Sequence, residues 1–175
     1  VGSTPRLLHT TIARNGRYGT GVYVLGSAPK YSTLAMTNTI VAGHATGIYV
    51  STGNTATLNG VLWHDNTDAN IAGPGATMIV VNEHTGVPFF ASDGYHLRSG
   101  SAAIDRGVDA GAPHDMDGEP RPQGAAPDLG ADEYTGITDT CEPNDVWPLA
   151  CGLTAGQPYL SFISNGRDLD WYRLH

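Results

Sequence analysis

Lysine is nearly missing from this chain: Lys30 stands alone, and nine basic residues face seventeen acidic ones for a formal charge of −8. A nucleic-acid partner calls for a basic stripe that neutralises phosphates, so this balance argues against one. Apolar runs are short as well. None approaches the roughly 18 residues that a membrane-spanning helix requires, so no transmembrane segment of that kind is read here. Long helices are disfavoured by 23 glycines and 11 prolines among abundant Thr, Ser and Asn, a composition suited to turn-rich β structure. The first residues carry neither the basic nor the apolar region of a signal peptide and lead straight into a strand. The chain is therefore read as starting inside a longer protein, with any export signal upstream.

Cysteine is scarce too, with Cys141 and Cys151 as the whole inventory. Neighbouring His or further Cys for a zinc site are lacking. Paired, the two would close a loop of about 11 residues, worth roughly 2 to 3 kcal/mol in the chain-entropy picture. The expectation is a Cys141–Cys151 disulfide and an extracytoplasmic location, against the alternative of two reduced cytosolic thiols.

What is present is repetition. The stretch from Met36 to Val50 alternates Met36, Asn38 and Ile40 with small or polar residues, turns at a glycine-bearing corner and resumes as Gly47-Ile48-Tyr49-Val50. Leu8, Thr10 and Ile12 before Val22 and Val24, and Leu58, Gly60 and Leu62 before Ile71, repeat that plan. First strands step by 28 and then 22 residues, second strands by 26 and then 23. One corner is regular, and the other takes insertions such as residues 26–33. Residues 76–83 supply a further strand. A period in the twenties with strand, turn and strand is what a solenoid needs, because no coil can bury its own apolar face. Leucine-rich repeats share the length but want a recurring Leu-x-x-Leu-x-Leu pattern, which is absent.

Beyond Val87-Pro88-Phe89-Phe90 the periodicity fades. Three stretches then follow in order: Tyr95-His96-Leu97-Arg98-Ser99-Gly100-Ser101-Ala102-Ala103-Ile104-Asp105-Arg106-Gly107, Asp115-Met116-Asp117-Gly118-Glu119-Pro120-Arg121-Pro122 and Pro127-Asp128-Leu129-Gly130-Ala131-Asp132-Glu133-Tyr134. Together they resemble the C-terminal end of bacterial secreted right-handed parallel β-helix repeat proteins. That resemblance implies an all-β fold, a right-handed parallel β-helix closed by an irregular C-terminal cap, over residues 1–134. It implies little about activity, since fold does not fix function. After a linker at residues 135–140, Asp139-Thr140-Cys141-Glu142-Pro143-Asn144-Asp145 and Asp168-Leu169-Asp170-Trp171-Tyr172-Arg173-Leu174 are similar to the opening of the bacterial pre-peptidase C-terminal domain. The implied module is a partial β-sandwich at residues 141–175, ending before several of that family's strands.

Candidate chemistry is sparse. Asn66-Thr67-Asp68 matches the first short motif of polygalacturonase-like glycosidases, but the paired Asp-Asp, Gly-His-Gly and Arg-Ile-Lys motifs are missing, and an Asp in an Asx-type corner after Asn66 is the preferred reading. The lyase alternative needs Lys or Arg beside a uronate, yet Lys30, Arg14 and Arg17 have no acidic cluster next to them in sequence. His44, His64 and His84 are evenly spaced but fall at different places on their coils, so corner packing is preferred to a metal column. Asp115, Asp117, Asp128 and Asp132 form the candidate calcium set, with Asp168 and Asp170 as a second; the competing role is accepting backbone N–H bonds in turns. Tyr23 and Tyr49 are expected outward and stacked, a glycan-contacting platform or a ladder that stabilises the sheet, with Trp63 also outward and extending it. Asn38 is expected inward and structural.

The resulting expectation is a non-catalytic extracellular or cell-surface β-helix protein of bacterial type, structural or adhesive, with polysaccharide or glycan as partner. A head-to-tail homo-oligomer or filament in which residues 140–175 complete a neighbour is read from the unpaired strands at the chain ends, against the competing reading that the ends are those of a fragment. The alternative is a fragment of a polysaccharide lyase or glycosidase whose catalytic site lies upstream.

Overall fold

The alternating, glycine-punctuated segments form strands that stack in parallel. A computed structural model of the chain describes residues 2–13, 16–74, 76–136, 147–156 and 171–174. It divides into two compact units, Val1–Thr135 and Gly136–His175, with the division inside the expected linker. In the first unit the strands are β1 (Arg6–Ile12), β2 (Thr20–Val24), β3 (Thr33–Ala42), β4 (Thr46–Val50), β5 (Thr55–His64), β6 (Ala69–Ala72) and β7 (Thr77–Thr85). Odd strands build one parallel sheet, in the order β1-β3-β5-β7, and even strands a second, β2-β4-β6. The chain is a parallel β-solenoid, all-β as the repeats required.

Second strands pair as the sequence spacing predicts, Val22 with Ile48 and Ile48 with Ile71. The first step between long strands does not. Leu7, not Leu8, pairs with Met36, so that step is 29 residues, and Thr39 rather than Asn38 lies beside Thr10. The cause is a residue in the left-handed region at one level of every coil: His9, Asn38, Gly60 and Asn82, with φ of 43°, 51°, 71° and 51°. Asn and Gly are the residues that enter that region at least cost.

Each such residue bends its strand and shifts the inside–outside alternation by one. Before the bend Leu34, Met36, Ala56 and Leu58 face the solenoid interior; after it Val41, Val61 and Trp63 do. Ile40, Ala42 and Leu62 turn instead to a second core shared with Leu97, Ala103 and Leu129 of the cap. Three expectations are corrected by this bend. Ile40 faces the cap rather than the interior and Ile12 pairs with Val41; Trp63 is buried, at 2% exposure, rather than outward; and Asn38 is buried toward the cap, exchanging hydrogen bonds with the backbone of Val108.

Corners are held by buried or half-buried asparagines. Asn54 accepts from the Ser32 N–H and donates to the carbonyls of Gly26 and Ser51. Asn66 accepts from the His44 N–H and donates to the Val41 carbonyl, tying its corner to the preceding coil.

The cap, residues 87–135, lies along the flank of β1, β3 and β5, and its three motifs clasp one another. Arg121 and Glu133 form an ion pair at 2.8 Å with both side chains 1% exposed. Arg121 also donates to the carbonyls of Gly130 and Ala131. Glu133 accepts from the N–H groups of Gln123 and Asp128, so this buried pair is saturated on the carboxylate side, the condition under which a buried ion pair is tolerated. Thr11 receives the Ala131 N–H and Asn38 the Gly130 N–H, tying the clasp to β1 and β3.

In the second unit the described residues form a 3₁₀ turn, Trp147–Leu149, and a parallel pair of β8 (Cys151–Leu153) with β9 (Tyr172–Leu174). Trp147 and Trp171 meet edge to face at 5.8 Å. Cys151 is disulfide-bonded. Its expected partner Cys141, the candidate ligands Asp168 and Asp170, and most of the expected sandwich segment lie outside the described residues.

Candidate functional site

Tyr23 and Tyr49 stand where the alternation of β2 and β4 sends them, outward, between Val22 and Val24 and between Ile48 and Val50. They are register partners, and their rings lie 5.4 Å apart at a 45° tilt. Tyr23 is 60% exposed and Tyr49 half-buried beneath it. Leu25, just past the end of β2, is also exposed. The ridge ends at the next coil, where Ala72 takes the place of a third tyrosine. Trp63 belongs to the interior and gives its indole N–H to Glu83 Oε1 at 2.7 Å, so it is not part of this surface.

A second feature was not legible in the sequence. An open groove of about 590 Å³ runs between the corners that follow β3 and β5 and the segment Val87-Pro88-Phe89-Phe90. Its polar side is His64 and an Arg17–Asp65 ion pair at 2.6 Å; its apolar side includes Phe89, half exposed. Contributors come from three different coils and the cap, so no local motif announces them. His64 pairs with Ala42 and His84 with Leu62, while buried His44 lies 3.1 Å from the Ile12 carbonyl. These histidines do not share a level, as their spacing implied.

The third grouping is in the cap. Asp115, Glu119 and Asp132 present carboxylate oxygens within 4.8 Å of one another, and a His96 ring nitrogen lies within the same distance of carboxylate oxygens of Asp117 and Asp132. Three of the four expected calcium ligands therefore fall in two groupings that share Asp132, together with Glu119 from the same Asp115–Glu119 run and with His96, which the sequence reading missed. Asp128 is in neither grouping; it accepts from the N–H groups of Asp105 and Tyr134. Much of the remaining capacity is committed to backbone: Asp115 accepts from the N–H groups of Asp117, Glu119 and Glu133, and Asp132 from that of Leu97.

Titration in the cap follows burial. Burial pushes the Asp132 carboxyl up to about 6, with Asp115 and Asp117 adding repulsion and the Leu97 N–H opposing. Burial likewise pushes Asp128 up to about 7. Glu119 is raised by burial and by the charges of Asp115, Asp132 and Asp117. His96 bridges Asp93 at 2.7 Å and Asp117 at 2.9 Å. Burial alone would lower its pKa, but those two hydrogen bonds carry it above the ordinary value. Under the clasp, burial pulls His9 down to about 4.

No protein-family model, curated protein or solved structure matches the chain.

Proposed function

We propose that this chain is a non-catalytic, extracellular or cell-surface β-solenoid that contacts glycans through the Tyr23–Tyr49 ridge. The observation that carries the reading is the stacked pair itself: a ring 60% exposed, propped at 5.4 Å by a second ring on a rigid parallel sheet. Aromatic faces present apolar surface to the C–H face of a sugar ring while the phenol hydroxyl hydrogen-bonds at the rim, and a strand-mounted pair loses little entropy when it binds. A purely structural ladder would not need its outer member left open to solvent. The disulfide-bonded state of Cys151 supports the oxidising location, since such bonds persist outside the reducing cytosol. The acidic balance fits neutral or cationic polysaccharides better than polyanionic ones.

Affinity electrophoresis through gels cast with a panel of neutral, acidic and amino-sugar polysaccharides tests this. Retardation by at least one neutral or amino-sugar polymer is expected, weakened about tenfold or more by Tyr23→Ala and retained by Tyr23→Trp. A ridge variant that migrates like the parent in every gel, with the parent retarded, would move the contact elsewhere.

A further inference from the structure

Columns of inward side chains run through the solenoid, and two of them change character at their last member. The register sets Thr10, Thr39, Val61 and Glu83 at one level and Ile12, Val41, Trp63 and Thr85 at the next. Thr39, Val41, Val61 and Trp63 are buried, whereas Glu83 and Thr85 on β7 are exposed. A chain that fills these levels with mostly apolar groups thus places a carboxylate and a hydroxyl there on its last long strand. The carboxylate is pinned in that position, because Oε1 accepts the indole N–H of Trp63 at 2.7 Å.

The other half of β7 has the opposite character. Thr77-Met78-Ile79-Val80-Val81 is uncharged, free of proline and rich in β-formers. Ile79 is 50% and Val81 47% exposed. Among the described residues no strand pairs with the far edge of β7. A run of this kind on an open edge is a template for another chain.

We infer that Glu83 terminates the stack: it bars a second copy of this chain from adding its β1 to the free edge of β7. The second copy is the relevant occupant because β1 carries the matching levels, Leu7 at that of Val80, Thr10 at that of Glu83 and Ile12 at that of Thr85. A β1 seated in that register would cover Glu83 and strip its carboxylate of water. Thr10 offers it no donor, since its hydroxyl already bonds the Leu8 carbonyl. An ionised carboxylate buried without a cation is strongly unfavourable, whereas exposed at the end of the stack it is well solvated. A head-to-tail filament therefore does not run through β7.

Sedimentation velocity over a concentration series decides it, using the full chain, Glu83→Gln, Glu83→Val and the double variant Val81→Lys/Glu83→Gln. Gln keeps an acceptor for the Trp63 N–H and removes the charge; if either single variant fails to fold by circular dichroism, the other carries the test. The parent is expected to sediment as one species at every concentration. The folded Gln or Val variant is expected to show a sedimentation coefficient that climbs with concentration, and adding Val81→Lys should restore the parent's behaviour. A folded Glu83 variant that sediments like the parent throughout, an association that Val81→Lys leaves intact, or a parent that itself associates through this edge would each overturn the inference.

Discussion

Asp132 sits where two demands conflict: its oxygen must receive the Leu97 N–H, and its charge must live at 5% side-chain exposure beside Asp115 and Asp117. With the carboxyl raised to about 6 from an ordinary 3.8, the folded chain holds this proton more tightly than the unfolded chain does. The contribution to stability is thus full below about pH 4 and is lost as pH rises through about 6. Asp132→Asn keeps the acceptor and removes the charge. At pH 7 it should stabilise the cap by on the order of 2 kcal/mol, with the gain shrinking to nothing near pH 4, as thermal melts of both proteins across that range would show. His96 acts in the same direction, its protonated form being held by Asp93 and Asp117 and released as pH climbs past its raised value. His9 acts in the other, because the unfolded imidazole takes up a proton below about 6.5 that the buried ring refuses until about 4. The same cluster answers the calcium question. Since Asp115 and Asp132 are already engaged by backbone N–H groups and Asp117 by His96, melting curves with millimolar calcium and with EDTA should coincide. A calcium-dependent rise that Asp117→Asn abolishes would instead make the cluster a cation site.

At the scale of the strand, the left-handed residue in each coil decides which side chains are core. Gly60→Ala tests it directly, since φ there is 71° and an added Cβ would lie 2.6 Å from Asn38 Oδ1. A loss of roughly 2 kcal/mol or more in chemical denaturation is expected, from left-handed strain plus the displaced Asn38. Trp63→Ala should cost roughly 3 to 5 kcal/mol as a core truncation, whereas an outward Trp63 would cost well under 1 kcal/mol. Ile40→Asp should also cost several kcal/mol, now by parting the cap from β3. The parallel stack, the second-strand register and the Tyr23–Tyr49 pair were legible because β2 and β4 alternate without interruption. The long strands were misread downstream of Asn38 because strict alternation was carried through a residue that resets it, and Leu7 beside Leu8 allowed either register. An Asn or Gly in the middle of β3, β5 and β7 was the available clue, and β1 has His9 there instead. The groove and the place of His96 in the cap cluster were not legible, since corners and cap loops from distant positions make them and no period links those residues.

In the first unit a parallel stack closed by the cap displays its side chains at fixed levels. The clasp of Arg121, Glu133, Asp115 and Asp128 holds the cap motifs to one another, and the backbone N–H groups of Gly130 and Ala131 tie it to β3 and β1. Among the described residues, two surfaces open to a partner are the tyrosine ridge and the groove beside Phe89, one presenting aromatic faces and the other a paired arginine and aspartate. The central claim, contact with a glycan without turnover, is tested most directly by incubating the intact chain with a polysaccharide that retards it and following reducing ends and unsaturated uronates together over time. The account predicts retention with neither product rising above a protein-free control; release of either product in proportion to protein concentration, lost on heat denaturation, would contradict it.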